Sequence, residues 1–118
     1  MTRGSDGVRL RHMLEAARKA VAFTQGRTRA DLDRDELLAL AVVRLLEVVG
    51  EAAKGVSGEL RTRHADIDWR RMAGMRDRLI HGYFEVDLDI VWAVVDSDLP
   101  SLITLLEPLV ASSEDTDR

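Results

Sequence analysis

The sequence of 118 residues contains no cysteine and only two prolines. Without cysteine the chain forms no disulfide, no thiolate zinc site and no cysteine nucleophile. No apolar run reaches the roughly 18–20 residues of a membrane-spanning helix. The first residues lead into a charged helical pattern without the apolar core of a signal peptide, so we expect a cytoplasmic protein with no membrane partner. At this length we expect one domain over residues 1–118, with flexible polar ends at 1–7 and 112–118.

The chain also has little positive charge overall, because its formal net charge is −4 at pH 7. This total argues against a nucleic-acid partner until the charges are counted along the chain. Residues 1–29 carry +5 and residues 61–81 carry +3, whereas residues 82–118 carry −8. Fifteen of the seventeen basic residues are arginine, whose planar guanidinium suits phosphate better than a lysine ammonium does. Solvated helix faces would give the same pattern, so charge alone leaves both interpretations open.

Apolar residues recur at helical spacing along nearly the whole chain, which predicts an all-α fold. Residues 8–25 form a predicted amphipathic helix that ends before Gly26. Thr28 and Asp31 have the spacing of a capping box, which predicts the start of a second helix. From Asp35 onward a long helix is apolar on most faces, which is typical of a helix at the centre of a bundle or one shared with a partner chain.

The second half of the chain predicts three more helices and no strand. Their expected starts are, in order, Asp68 before Trp69, then Asp87 or Asp89, and finally Asp98 with Pro100. The first of these helices is expected to end at Gly82, with a loop over residues 83–87. Every acidic residue in these starts is a candidate N-cap, because its carboxylate accepts a hydrogen bond from a backbone N–H of the first helical turn.

Chemistry-bearing side chains gather between Met75 and residue 84. On the predicted helix Asp77 and His81 are four residues apart, close enough for the carboxylate to orient the imidazole. Arg76 lies to one side with a side chain long enough to reach the same anion. An arginine for phosphate charge, a histidine for proton transfer and a neighbouring carboxylate are a minimal metal-free set for cleaving a phosphodiester. The structural alternative is that the helix C-terminus stabilises a cationic His81 while Arg76 is a surface charge.

Acid–base cleavage of RNA needs one group to accept the 2′-hydroxyl proton and another to protonate the leaving oxygen. The chain has three histidines, His12, His64 and His81, and the first two are best explained as solvated residues. A twofold dimer that set the predicted helix 69–82 beside its copy would bring two His81 and two Arg76 to one cleft. A catalytic interpretation of this segment therefore favours a site that two copies of the chain share.

Three further patterns have simpler explanations or none. Asp87 and Asp89 form an Asp-x-Asp pair, but the Gly-Ser loop of a nucleotidyltransferase does not precede them, so they are interpreted as helix caps. Gly50 and Gly55 match the start of a phosphate-binding loop, but no lysine follows and no strand precedes, so this interpretation is rejected. Tyr83 is either a half-buried aromatic at the rim of the site or a reachable hydroxyl beside it.

The segment Arg76-Asp-Arg-Leu-Ile-His81-Gly-Tyr83 resembles the Arg-x4-His-x-Tyr signature of HepT-like proteins, the toxin half of HepT–MntA toxin–antitoxin pairs in the HEPN superfamily. Other blocks that are similar to this family are 46–54, 67–75, 86–92 and 98–100. The resemblance covers roughly residues 37–110. It is specific because the blocks occur together.

The resemblance implies an up-and-down HEPN-like bundle of four to five main helices that dimerises around Arg76 and His81. It implies a metal-independent endoribonuclease toxin without a cofactor, whose substrate is RNA such as tRNA or mRNA. Asp77 occupies a position that is often Asn in HEPN proteins, so its implied role is auxiliary. Tyr83 falls on the motif tyrosine to which an MntA-like nucleotidyltransferase antitoxin transfers AMP. The alternative is a non-catalytic HEPN module that binds a nucleotide or a nucleotidyltransferase.

Overall fold

The structure is a computed structural model that describes residues 3–83 and 85–116. Its elements in chain order are α1 (Arg3–Phe23), α2 (Arg29–Arg34), α3 (Glu36–Lys54), α4 (Gly58–Arg63), α5 (Trp69–Ala73), α6 (Met75–Leu79), β1 (Ile80–His81), β2 (Glu85–Val86), α7 (Leu88–Ala93), a π-helical turn (Val94–Asp98) and α8 (Leu99–Thr116). The predicted all-α fold is confirmed. The expected flexibility of the two ends stays a prediction, and residues 1, 2, 117 and 118 lie outside the described residues.

Three long helices form the centre of the fold. Helix α1 packs along α3 on one side and along α8 on the other, while α5 and α6 lie on a further side of α3. The side chains that fill this core are fully buried and come from every long helix; they include Leu10, Met13, Leu46, Val49, Leu99 and Leu106. Such burial contributes most of the stability of a small helical domain. None of the described helices combines the length and apolar character that crossing a bilayer requires.

The predicted helix signals are largely confirmed at the starts of the helices. The carboxylate of Asp35 accepts a hydrogen bond from Leu38 N at 3.1 Å, and that of Asp68 accepts one from Arg71 N at 3.0 Å. Gly26 follows α1 with a φ of 74°, a left-handed conformation that favours glycine. These bonds satisfy backbone groups that a helix leaves without intrahelical partners, which is why short polar residues mark the helix boundaries.

Helix α3 is both central and exposed. Its inner face packs against α1, α5 and α6 through buried residues such as Val42 and Leu46. On its outer face Leu37 is 81% exposed and Leu40 is 62% exposed. The central position in the bundle is therefore confirmed, and the helix also presents apolar side chains to its surroundings. A partner chain that shares this helix stays a prediction.

The helix predicted from Trp69 to Gly82 is confirmed as far as Leu79 apart from one interruption, and it is wrong at its end, over residues 80–82. The helix is interrupted at Gly74, between α5 and α6, and α6 ends at Leu79. Strands β1 and β2 form a small antiparallel hairpin instead, in which Ile80 pairs with Val86 and His81 with Glu85. Two residues per strand are too few to show an alternating pattern, so neither strand was expected from the sequence.

The expected restart of a helix at Asp98 and Pro100 is also wrong. Helix α7 runs without interruption through the π-helical turn into α8, and Leu99 N–H donates to Val94 O, five residues back. Pro100 has no N–H to donate, and the wider π-helical turn lies directly before it. The carboxylate of Asp98 is therefore not a helix cap but faces two arginines.

Candidate functional site

The site segment, residues 74–87, is placed by a close contact with α3. A Cβ on Gly50 would lie 2.9 Å from Met75 Cβ and 3.0 Å from the carbonyl oxygen of Met72. Since only glycine allows this approach, α5 and α6 lie directly against the backbone of α3. Met75 and Leu79 point into the core and are fully buried. The opposite side of α6 therefore faces outward.

The three charged residues of α6 have different surroundings. Arg78 is partly buried, and one of its guanidinium nitrogens lies 3.4 Å from Asp98 Oδ2, the same oxygen that Arg71 Nε approaches at 3.2 Å. Arg76 and Asp77 are exposed. Within the described part of the chain, no carboxylate lies within ion-pair distance of Arg76. Its guanidinium is thus available to an external anion, whereas Arg78 is neutralised and fixes α6 to the π-helical turn.

His81 is not on the helix that carries Arg76 and Asp77. It lies in β1, and the hairpin is closed by a hydrogen bond from Asp87 N–H to Leu79 O at 2.7 Å. The helical four-residue relation between Asp77 and His81 is therefore absent, and no ion pair joins these two side chains among the described residues. The expectation that Asp77 orients the imidazole was wrong, because it assumed that the helix continues to Gly82.

The carboxylate that faces His81 belongs to Asp87. His81 Nε2 lies 3.6 Å from Asp87 Oδ2, with the histidine side chain 60% exposed and the aspartate side chain 32% exposed. Asp87 also caps α7 through Oδ1, as predicted. The sequence identified Asp87 as a cap but not as the partner of His81. The available signal was Gly82, which favours a tight reversal that brings residue 87 back beside residue 79.

His81 remains close to Arg76 despite this correction. Ile80, the residue before His81, donates its backbone N–H to the carbonyl oxygen of Arg76. The hairpin therefore begins one helical turn after Arg76, and both candidate side chains are exposed on the surface. The arrangement combines a cation without an internal partner and an imidazole beside a carboxylate, which can bind a phosphate and move a proton.

Tyr83 lies in the turn of the hairpin, two residues after His81. Gly82 before it has a φ of 73°, and Tyr83 is 84% exposed. Of the two alternatives that the sequence left open, the structure favours the reachable hydroxyl. A group this exposed is accessible to a modifying enzyme that approaches from solvent.

The remaining candidates lie elsewhere. His12 is exposed on α1, where it borders a surface cavity of about 400 Å³ together with Arg9 and Arg44. His64 follows α4, and its carbonyl oxygen accepts a hydrogen bond from Trp69 Nε1 at 2.9 Å. In residues 3–83 and 85–116 no three histidine, aspartate or glutamate side chains stand close enough to hold a metal ion. Neither histidine is part of the site segment.

Comparison with known proteins adds independent information. The family described as Ribonuclease HepT-like matches residues 13–109. A probable ribonuclease HepT of Thermococcus cleftensis is 40% identical over 100 residues, which cover 85% of this chain and 91% of that protein. A candidate RNase of Caldanaerobacter subterraneus is 38% identical over 93 residues, which cover 79% and 83% of the two chains. No solved structure is a significant match.

Proposed function

Because the chain belongs to the HepT-like ribonuclease family, we propose that it is an endoribonuclease that cleaves RNA without a metal ion and uses Arg76 and His81 as catalytic residues. The observation that carries this proposal is the exposed His81–Asp87 pair. The strand with His81 begins one helical turn after Arg76, which has no carboxylate at ion-pair distance among the described residues. These neighbouring groups can supply proton transfer and phosphate recognition. The first part of the site segment, residues 74–81, lies within the +3 stretch of residues 61–81.

The reaction is an attack of the ribose 2′-oxygen on the adjacent phosphorus. A histidine accepts the 2′-hydroxyl proton, the new O2′–P bond forms, and the P–O5′ bond breaks. A second acid protonates the leaving 5′-oxygen, which gives a 2′,3′-cyclic phosphate and a 5′-hydroxyl. Arg76 stabilises the negative charge that grows on the phosphoryl oxygens. Asp77, exposed beside Arg76, is assigned an auxiliary role toward the substrate rather than toward His81.

A homodimer would supply the second acid. Each chain contributes one His81, so two copies around one cleft provide both a base and an acid. The outward leucines of α3, Leu37 and Leu40, are apolar surface that a second copy would cover. Analytical ultracentrifugation tests this: a monomer at micromolar concentration would contradict the shared cleft.

The direct test is RNA cleavage by purified protein in EDTA, with tRNA and mRNA transcripts as substrates. We expect cleavage products that end in a 2′,3′-cyclic phosphate. His81→Ala should lower the rate by about 10²-fold or more, and Arg76→Gln by a similar factor. His12→Ala is the matched control, because His12 is an exposed histidine on α1 and should leave the rate unchanged.

Three outcomes would contradict this mechanism. Loss of cleavage in EDTA would show that a metal ion takes part. Full cleavage by His81→Ala would remove the proposed acid–base residue. Absence of cleavage by the unaltered protein, with binding of nucleotide or of a nucleotidyltransferase retained, would favour the non-catalytic HEPN module instead.

We also propose that the enzyme is the toxin of a cytoplasmic toxin–antitoxin pair, neutralised when an MntA-like nucleotidyltransferase modifies Tyr83. The tyrosine oxygen attacks the α-phosphorus of ATP, its proton is lost and pyrophosphate leaves. The high exposure of Tyr83 supports this assignment. An AMP group beside the site adds bulk and negative charge, which would repel an RNA phosphate.

Intact-mass measurement after incubation with such an enzyme and ATP tests the assignment. The unaltered chain should gain AMP, whereas Tyr83→Phe should not. The same adduct on Tyr83→Phe would refute Tyr83 as the modified residue. For the toxin role, expression of the chain alone should arrest growth, and co-expression of the nucleotidyltransferase should restore it.

A further inference from the structure

A carboxylate other than the one in the Arg-x4-His segment contacts the imidazole of the site. We propose that Asp87 is a positioning residue that holds the proton of His81 on Nε2, so that Nδ1 is the nitrogen that exchanges a proton with RNA. This inference rests on the proposed function. It starts from the 3.6 Å separation between His81 Nε2 and Asp87 Oδ2.

The carboxylate of Asp87 is itself fixed in orientation. Its Oδ1 accepts hydrogen bonds from Asp89 N at 3.1 Å and from Ile90 N at 3.2 Å, which is the N-cap arrangement of α7. Its own backbone N–H is bound to Leu79 O at 2.7 Å. Because Oδ1 and the backbone N–H already have hydrogen-bond partners, Oδ2 is the carboxylate oxygen that faces His81.

The imidazole is fixed from the other side by the hairpin. Pairing of His81 with Glu85 sets the backbone of β1, and Gly82 turns the chain immediately afterwards. The side chain therefore projects from the paired strand β1 beside the start of α7. A shift of a few tenths of an ångström would bring Nε2 within hydrogen-bond distance of Oδ2, and such bonds commonly shorten when substrate binds.

The tautomer follows from the chemistry of the two groups. An ionised carboxylate only accepts hydrogen bonds, so the imidazole nitrogen that faces it carries the proton. In a neutral ring the second nitrogen, Nδ1, then holds the free lone pair. Once Nδ1 has accepted a proton from RNA, the charge of Asp87 also stabilises the resulting imidazolium.

Replacement of Asp87 by asparagine separates positioning from capping. Asparagine is as good an N-cap as aspartate, so its carbonyl oxygen retains the bonds to Asp89 and Ile90. The amide NH₂ then takes the place of Oδ2 and offers a donor to Nε2. Because Nε2 must now accept, the proton moves to Nδ1 and the ring presents the wrong nitrogen to RNA.

The experiment is a nitrogen-15 NMR measurement of the histidine ring, at a pH where the ring is neutral, with His81→Ala used for assignment. The unaltered protein should show Nε2–H at His81. Asp87→Asn should increase the Nδ1–H population and lower RNA cleavage at least ~10-fold. Asp87→Ser, which retains a capping hydroxyl but lacks a second oxygen, should give an intermediate tautomer ratio at similar thermal stability.

Asp89→Asn is the matched control, since Asp89 is an exposed neighbour that pairs with Arg29 instead of His81. It should change neither the tautomer nor cleavage, and Asp77→Asn should leave the tautomer unchanged. An identical tautomer ratio in the unaltered protein and in Asp87→Asn would overturn the inference while leaving the proposed ribonuclease intact. Absence of RNA cleavage by the unaltered protein would overturn the proposed function, and the NMR result would still decide the contact between Asp87 and His81.

Discussion

The frame of the molecule, helices α1, α3 and α8, differs from the site segment in what holds it in place. The frame is held by side chains such as Leu10, Leu46 and Leu106, each with at most 1% of its surface exposed. The site segment is anchored at Met75 and Leu79 by burial, but its candidate side chains are exposed and are oriented by a few directional contacts. Burial determines the stability of the frame, whereas a small number of polar contacts determines the geometry of the site.

This difference has an energetic consequence. Removal of a fully buried leucine side chain costs about 2–5 kcal/mol, whereas an exposed ion pair contributes about 0–1 kcal/mol. Substitutions in the frame should therefore lower the free energy of unfolding without changing the chemistry of folded molecules. Substitutions in the site segment should do the opposite, except at residues that connect the two regions.

The largest stability effect is expected in the frame. Leu46→Ala should lower the free energy of unfolding by about 2–5 kcal/mol, because it opens a cavity at a position with no exposed surface. Urea unfolding at fixed protein concentration measures this. Leu37→Ala, on the outer face of α3, should change it by less than about 0.5 kcal/mol.

Equal losses in the free energy of unfolding for the two leucine variants would show that the outer face of α3 is buried in solution. A loss for Leu37→Ala that depends on protein concentration would identify Leu37 as a contact between two copies. Either outcome would mean that the frame also includes contacts between the two copies of the proposed dimer.

The second effect is expected where frame and site segment meet. Gly50→Ala should cost about 1–3 kcal/mol, since its Cβ would meet Met75 and the backbone of Met72 at 3.0 Å or less. It should also reduce RNA cleavage per folded molecule, because α6 must move. Gly58→Ala is the control: its Cβ meets nothing within 4 Å, so stability should stay equal or rise. Similar results for both glycines would contradict the close contact between α3 and α6.

The frame was predictable from the sequence because its signals are local. Apolar residues at helical spacing identify α1 and α3, and Asp35 and Asp68 mark helix starts through bonds to residues three positions ahead. Gly26 marks the end of the first helical region in the same way. Each of these signals lies within a few residues of the structure that it specifies.

The geometry of the site segment was not predicted from the sequence, and the roles of its candidate residues stay predictions. Arg76, His81 and Tyr83 were identified as candidates, yet the helix was extended to Gly82 and Asp77 was chosen as the partner of His81. The actual end of α6 depends on pairing between Ile80 and Val86. Both residues are apolar, and each would fit a helix equally well. Which structure forms is decided by the packing of the whole hairpin, and that is not encoded in local spacing.

The third effect concerns Asp98, which links α6 to the π-helical turn. Asp98→Asn should cost about 1 kcal/mol, because Arg78 and Asp98 are 23% and 21% exposed and another nitrogen of Arg78 is buried without a partner among the described residues. Glu107→Gln is the control. It removes the ion pair with Arg18, which is shorter at 2.6 Å, but whose side chains are 53% and 49% exposed.

Thermal unfolding of the two variants measures whether distance or burial decides the strength of an ion pair here. We expect the Glu107→Gln change to be below about 0.5 kcal/mol. A larger loss for Glu107→Gln than for Asp98→Asn would contradict the role of burial. Lower cleavage by folded Asp98→Asn would in addition show that the contact with Arg78 orients α6.

The smallest effect is a pH-dependent one at the start of α2. The pKa of Asp31 is lowered below its ordinary value, mainly because Thr28 N–H donates to its carboxylate, at 2.7 Å, and Arg27 and Arg34 act in the same direction. A lowered folded-state pKa means that the ionised form stabilises the fold above the ordinary pKa of aspartate, and that this stabilisation is lost as the pH falls through the folded-state value.

Asp31→Asn keeps an acceptor but removes the charge, so its melting temperature should be slightly lower than that of the unaltered protein at pH 7. The difference should shrink as the pH drops below the ordinary pKa of aspartate. A difference that stays constant down to the most acidic condition would show that the charge of Asp31 does not contribute, and that the capping bond alone supports α2.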